Sequence, residues 1–301
     1  MSETTDRIAE LKIKHNAVIL AHLYQVPEIQ DVADFVGDSL ELARKAKETD
    51  ADTIVFCGVW FMAETAKILN PSKLVLLPEK SAGCPMADMV TKEDVLKLRE
   101  HYPRAAVVCY VNSSAEVKAE SDICCTSSNA VRVVQSLSED EIIFVPDENL
   151  GRYVAGFCPD KKFIFHPGFC PTHQKIKAED VDEAKKANPG VPVLVHPECV
   201  PAVIEKSDFA GSTAQIIVRA TQGEEEAYLI GTESGILHRL QALNPGKRYI
   251  PLRSGLVCPN MKKISLHSLL LSLENLQYEI DLPPRIIERA ARCVERMLEL
   301  G

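Results

Sequence analysis

Three cysteines, Cys84, Cys170 and Cys258, recur at steps of 86 and 88 residues in a chain of 301. Thiolates brought together from such distant points can hold a metal and leave one coordination position free for a substrate. A scaffold that delivers the same loop three times should show an internal repeat of matching length. It does. Anchored on Asp34, Asp122 and Asp208, a small hydroxyl follows five residues later in every copy: Ser39, Ser127 and Thr213. Twelve residues before the anchor stands a ring-bearing polar residue (His22, Tyr110, His196), and ten before it Tyr24, Asn112 and Glu198. The cysteines trail the anchor by 50, 48 and 50 residues. Four kinds of functional group therefore stay in register across three copies.

Each set also has a plainer reading. Ser39, Ser127 and Thr213 are good helix N-caps, but a polar pair at a constant offset favours a ligand role, which capping does not exclude. One histidine alone is more often structural, whereas His22 and His196 occupy equivalent positions. The anchor aspartates are assigned to turns or helix ends, with no catalytic part. Cys57, Cys109, Cys124 and Cys125 sit in or beside apolar runs and should be buried as small hydrophobes. Cys158, Cys199 and Cys293 have no counterpart at the same register. For the matched trio, structural zinc would favour closely spaced cysteine pairs, which are missing, and a three-cysteine [4Fe–4S] cluster suits one isolated thiol per loop. Spacing alone leaves both metals open. Gly83, Gly168 and Gly255 nearby would allow close backbone approach to either.

The elements that must carry these residues are legible in the hydrophobic pattern. NAVILA, TIVFCG and KLVLLP read as buried strands, with FVG a shorter one, and VPEIQDVAD, DSLELARKAKE and WFMAETAKIL as the helices between them. VVCYV, IIFVP and KFIFHP repeat the strands in a second copy, and VLVHP, AYLIG and RYIPL in a third. Continuous apolar strands alternating with helices predict parallel sheets covered on both faces. The expected fold is α/β: three homologous three-layer α/β/α units with parallel sheets, in pseudo-three-fold symmetry around a central metal-cluster site. The expected divisions are 1–89, 90–176 and 177–264, with helices in 265–301 packing back on the core. In such sheets ligands bind beyond the carboxyl ends of the strands, where the registered residues fall.

Composition narrows the function class. An apolar fraction of 46% is ample for a core, and no apolar run of about 18 residues suggests a membrane span. A net charge of −9 without a basic stripe argues against nucleic-acid binding. The N-terminal MSETTDRIAELKIKH lacks a signal-peptide pattern. Ten cysteines are then expected in a reducing cytoplasm, as metal ligands or buried thiols rather than disulfides.

The segments AHLYQVPEIQDVADFVGDSLELA, YVNSSAEVKAESDICCTSSNA, HPECVPAVIEKSDFAGST and VCPNMKKIS closely resemble the quinolinate synthase family, over nearly the whole chain. That resemblance implies one [4Fe–4S] cluster per chain on Cys84, Cys170 and Cys258. It implies a cytoplasmic transferase of de novo NAD synthesis, condensing iminosuccinate (iminoaspartate) with dihydroxyacetone phosphate to quinolinate, phosphate and water. Substrate would be held by His22, Ser39, Tyr110, Val111, Asn112, Ser127, His173, His196, Pro197, Glu198 and Thr213, with Tyr24, His196 and Glu198 catalytic. Lys175, close behind Cys170 in CPTHQK, is a further candidate for the phosphate-bearing substrate. Some relatives carry a second cysteine near the last ligand, but CPNM has none, so no thiol switch from such a pair is expected. An L-aspartate oxidase or aspartate dehydrogenase is the expected functional partner. The rival readings are an aconitase-like hydro-lyase on another small polycarboxylate and a non-catalytic iron–sulfur carrier, for which the registered polar residues would be superfluous.

Overall fold

The computed structural model describes residues 3–300, so residues 1, 2 and 301 of the expected first and last segments lie outside the described residues. The first unit runs α1 (Glu3–Lys14), β1 (Ala17–His22), α2 (Pro27–Val32), β2 (Phe35–Gly37), α3 (Ser39–Glu48), β3 (Thr53–Cys57), α4 (Trp60–Leu69) and β4 (Leu74–Leu76). The second repeats it as α5 (Lys92–His101), β5 (Ala106–Tyr110), α6 (Ala115–Ala119), β6 (Ile123–Cys125), α7 (Ala130–Gln135), β7 (Glu141–Val145), α8 (Glu148–Ala155) and β8 (Lys162–Phe165). The third is α9 (Ala178–Ala187), β9 (Val193–Val195), α10 (Pro201–Lys206), β10 (Phe209–Ala210), α11 (Thr213–Gln222), β11 (Ala227–Gly231), α12 (Ile236–Leu243) and β12 (Arg248–Pro251). Two helices close the chain, α13 (Leu266–Asn275) and α14 (Pro284–Glu299).

The three four-stranded sheets share one order, β2-β1-β3-β4, β6-β5-β7-β8 and β10-β9-β11-β12, and every strand pair within them is parallel. The chain winds outward from β1 in one direction and from β3 in the other, so the crevice beyond their carboxyl ends is a switch point in each unit. Strands β3, β5 and β11 are buried at every position, which is why they are apolar without alternation. Burying each Ile, Val or Phe there contributes about 1.5–3 kcal/mol.

The anchor aspartates prove structural in a specific way. They sit just ahead of β2, β6 and β10, and each returns a carboxylate oxygen to the neighbouring strand. Asp34 accepts from Ile19 N, Asp122 from Val107 N and Asp208 from Val193 N, all at 2.8 Å. A cation from the helix before that neighbouring strand holds each one: Lys12 at 2.6 Å, Arg99 at 2.8 Å and Lys185 at 3.1 Å.

One continuous apolar cluster joins the first two units to α13 and α14, whereas the third buries its two faces in clusters of its own. Helix α14 packs on α4, α6 and β6, and α13 on α1 and β3. The segment between them covers the open edge of β4, through Leu77 N to Tyr278 O at 2.9 Å and Ile280 N to Val75 O at 2.8 Å. No helix among the described residues is long and apolar enough to cross a membrane.

Candidate active site and the three cysteine loops

The three units open onto one chamber. Its wall includes His22, Tyr24 and Ser39 from the first, Tyr110, Asn112 and Ser127 from the second, and His196, Glu198 and Thr213 from the third. Cys84, Cys170 and Cys258 line the same space. The i, i+2 pairs leave β1, β5 and β9 on one side, as alternation dictates. In the two histidine-bearing copies the geometry is the same: Tyr24 N donates to His22 Nδ1 at 3.1 Å, and Glu198 N to His196 Nδ1 at 3.3 Å. With Nδ1 accepting, the remaining proton of each neutral ring belongs on Nε2. Burial lowers both imidazoles to a pKa of about 3, His22 further through His196 and Lys262. They are neutral hydrogen-bond donors at ordinary pH.

Glu198 is the charge centre. Burial alone would push its carboxyl up, but His173, His196 and Tyr110 together hold it well below the usual carboxylate range. Tyr110 Oη donates to Oε1 at 2.7 Å, and His173 Nδ1 lies 2.6 Å from Oε2. His173 stacks on His196 with ring centroids 4.8 Å apart, and its Nε2 meets Thr232 Oγ1 at 2.8 Å. Thr232 in turn lies 2.7 Å from Tyr24 Oη, which also meets Thr213 Oγ1 at 3.0 Å. An unbroken hydrogen-bonded path therefore runs Tyr24–Thr232–His173–Glu198–Tyr110. Burial and the Glu198 charge push both tyrosines well above their ordinary pKa, so they stay protonated. Asn112 Oδ1 is shielded from solvent with no hydrogen-bond partner, a free acceptor in the chamber wall.

All ten cysteines are unpaired; seven are buried and only the register-matched three are half-exposed. Each of those three begins a turn whose backbone N–H groups point back at its sulfur: Ala87 and Met86 toward Cys84, His173 toward Cys170, Met261 and Asn260 toward Cys258. Such N–H clusters favour an anionic sulfur. Burial opposes it, pushing Cys84 up to about 12 and raising Cys170 and Cys258 as well. Proline follows the cysteine in every copy, a repeated C-P step that the sequence reading left unused. Cys170, His173 and Glu198 form the one group among the described residues whose metal-ligand atoms lie within 4.8 Å of one another.

Some expected residues fall elsewhere. Val111 and Pro197 are buried between the paired residues and do not line the chamber; Val111 N instead bonds Cys125 O at 2.8 Å. Lys175 is exposed on the outer side of its turn. The hydroxyl trio is less uniform than its register suggests. Ser39 and Thr213 are the first residues of their helices, but Asp38 and Ser212 do the capping. Ser127 does not open a helix, because Asn129 Oδ1 accepts from Thr126 N at 2.8 Å and holds a turn that delays α7. Ser127 Oγ instead meets His196 Nε2 at 3.1 Å across the unit boundary. Thr232, Glu233 and Lys262 escaped the sequence reading. Glu233 and Asp147 share a register 25 residues past Asp208 and Asp122, which could have exposed them.

Fold and chamber together define a three-unit α/β enzyme whose centre pairs thiols with acid–base side chains. Residues 6–299 match the family model described as Quinolinate synthetase A protein, and the chain belongs to that family. It is 52% identical to the quinolinate synthase of Alkaliphilus metalliredigens over the full length of both chains. It is 54% identical to that of Caldicellulosiruptor saccharolyticus, covering 98% of this chain and 97% of the relative. With that of Methanoregula boonei it shares 55%, at the same coverage. The family is one of iron–sulfur enzymes, and the chamber holds cysteines and a possible metal site.

Proposed function

We propose that the chain condenses iminosuccinate with dihydroxyacetone phosphate to quinolinate, phosphate and water, in the cytoplasm, using a [4Fe–4S] cluster held by Cys84, Cys170 and Cys258. The observation that carries this is the meeting of those thiols, one from each unit, with Glu198, His196 and two tyrosines in one chamber. The donor set fits the cluster better than a single ion. A lone zinc needs sulfurs about 2.3 Å from itself, hence roughly 4 Å apart. The three sulfurs do not gather within 4.8 Å of one another. Cluster thiolates bind separate irons and stand wider. At Gly83, in the chamber wall, an added Cβ would meet nothing within 4 Å and would project into the open space. Iron charge also offsets the burial that disfavours the three thiolates.

A cluster with three protein ligands supplies Lewis acidity at its remaining iron. The chain's own residues supply the rest. Neutral His22 and His196 present Nε2–H to substrate carboxylates, with Ser39, Ser127, Thr213 and Asn112 completing the binding wall. Ionised Glu198 takes protons as the carbon skeleton condenses and the ring closes. Protonated Tyr24 returns them, and the path through Thr232 and His173 joins the two. The units that share the centre are taken as 1–89, 90–176 and 177–264, with 265–301 packing back on the core. Iminosuccinate is unstable in water, so an aspartate oxidase or dehydrogenase supplies it.

The test is an anaerobic preparation assayed for iron and sulfide per chain, then for quinolinate from the two substrates. Four irons with quinolinate formation is the expected result. Iron and sulfide without quinolinate would favour a hydro-lyase on another polycarboxylate, and no iron would remove the proposal's basis.

A further inference from the structure

The cysteine loops are pinned the same way in every unit. The backbone N–H of Trp60, Glu148 and Ser234 donates at 2.8 Å to the carbonyl two residues before the cysteine, on Ala82, Gly168 and Leu256 respectively. The residue just ahead of each donor differs. It is Val59 in the first unit, Asp147 in the second and Glu233 in the third. Both acids are fully buried and lie against the backbone N–H of the cysteine itself: Asp147 against Cys170, and Glu233 Oε1 against Cys258 at 3.1 Å.

Glu233 reaches further. Its Oε2 accepts from Gly235 N at 2.7 Å, and Lys262 Nζ pairs with its carboxylate at 3.1 Å. The same ammonium donates to the backbone carbonyl of Tyr24, in the first unit. Space is tight: a Cβ at Gly235 would come within 2.8 Å of Glu233 Oε2, Lys262 Nζ and the Tyr24 carbonyl carbon. A buried carboxylate with an ammonium and two N–H donors is well satisfied; removing it strands both N–H groups and leaves the ammonium without its counter-charge.

We propose that Glu233 is a positioning residue that locks the Cys258 loop to the backbone of Tyr24 through Lys262. It thereby fixes the third-unit sulfur relative to the first-unit hydroxyl. The third unit's sheet keeps its own apolar clusters and joins the first unit's core only through Met261, Ile264 and Cys258, so a polar lock at that loop keeps two groups of one centre in register. Asp147 holds Cys170 in the same manner, without the extension across units. The inference rests on reading Cys258 as a cluster ligand.

Anaerobically prepared holoproteins of wild type, Glu233→Ala, Glu233→Gln, Lys262→Met and Cys258→Ser decide it. Two quantities are measured: the rate of iron loss to a chelator, and kcat with KM. Glu233→Ala should release iron roughly 10–100-fold faster, as loss of a partner behind a metal ligand does. Glu233→Gln keeps an acceptor for Cys258 N–H and should hold iron far better than Glu233→Ala. Lys262→Met keeps that acceptor too, so iron retention should stay near wild type. Its kcat should still fall by roughly tenfold or more, from misplacement of Tyr24, with KM little changed. Should Glu233→Ala fail to fold, the Gln and Met variants still separate the two effects. Iron loss from Glu233→Ala at the wild-type rate, or full turnover by Lys262→Met, overturns the inference. Wild-type iron retention by Cys258→Ser overturns the ligand reading instead.

Discussion

Tyr110 and Glu198, 88 residues apart, meet across the chamber with the phenol donating to the carboxylate at 2.7 Å. They occupy adjacent registers of two different units, so the contact exists only because both units deliver the same strand end to one axis. Imidazoles and a phenol keep this buried carboxylate ionised, so it can accept a proton and share it with the hydrogen-bonded groups around it.

Replacing Glu198 by Gln removes that base while keeping the size of the side chain. Turnover should fall roughly 10²–10⁴-fold, the range of general acid–base catalysis, with iron content unchanged. Wild-type kcat in an iron-replete Glu198→Gln enzyme would remove Glu198 from proton transfer.

Among the described residues, Thr232 alone links Tyr24 to His173 in the hydrogen-bonded path. Val matches its shape and lacks its hydroxyl, so Thr232→Val should cut kcat by about tenfold or more and leave KM near wild type. A proportional rise in KM instead would assign the threonine to substrate binding.

The register of the repeat made most of this site readable, because parallel α/β units put equivalent residues at equivalent strand ends. Both members of each i, i+2 pair and all three chamber cysteines follow from it. What escaped depends on contacts between units, which carry no periodic signal. Thr232 matters because Tyr24 and His173 approach it from two other loops, and Lys262 because it reaches back to the first unit. Ser127 was misplaced at a helix start because Asn129 accepts from Thr126 N, a side-chain turn that competes with the helix. Lys175 was drawn in by nearness to Cys170 along the chain, yet its turn points it outward.

The neutral histidines predict a pH dependence of stability. Burial lowers His22 and His196 to about 3 in the folded protein, against about 6.5 when unfolded. Between those values the unfolded chain binds more protons than the native one, so stability rises with pH and is lost as pH falls. The contribution is fully present above about pH 6.5 and disappears toward pH 3. Denaturant titrations from pH 5 to 6.5 should show a slope of at most about 1.4 kcal/mol per pH unit from each histidine. His196→Asn should flatten that slope, and an unaltered slope would show that His196 is not held neutral.

The aspartate clamps are a structural counterpart, since they carry the repeat's anchor without touching the chamber. Asp122 accepts from Val107 N and pairs with Arg99 at the base of β5, remote from the strand's chamber end at Tyr110. Truncating it to Ala leaves the Val107 N–H without its carboxylate partner, at a cost of about 1–3 kcal/mol. Asp122→Ala should therefore lower the denaturation midpoint while kcat and iron content of the folded enzyme stay at wild-type values. If kcat dropped along with stability, strain at the start of β5 would be reaching Tyr110, and the clamp would belong to the positioning of the site as well as to the fold.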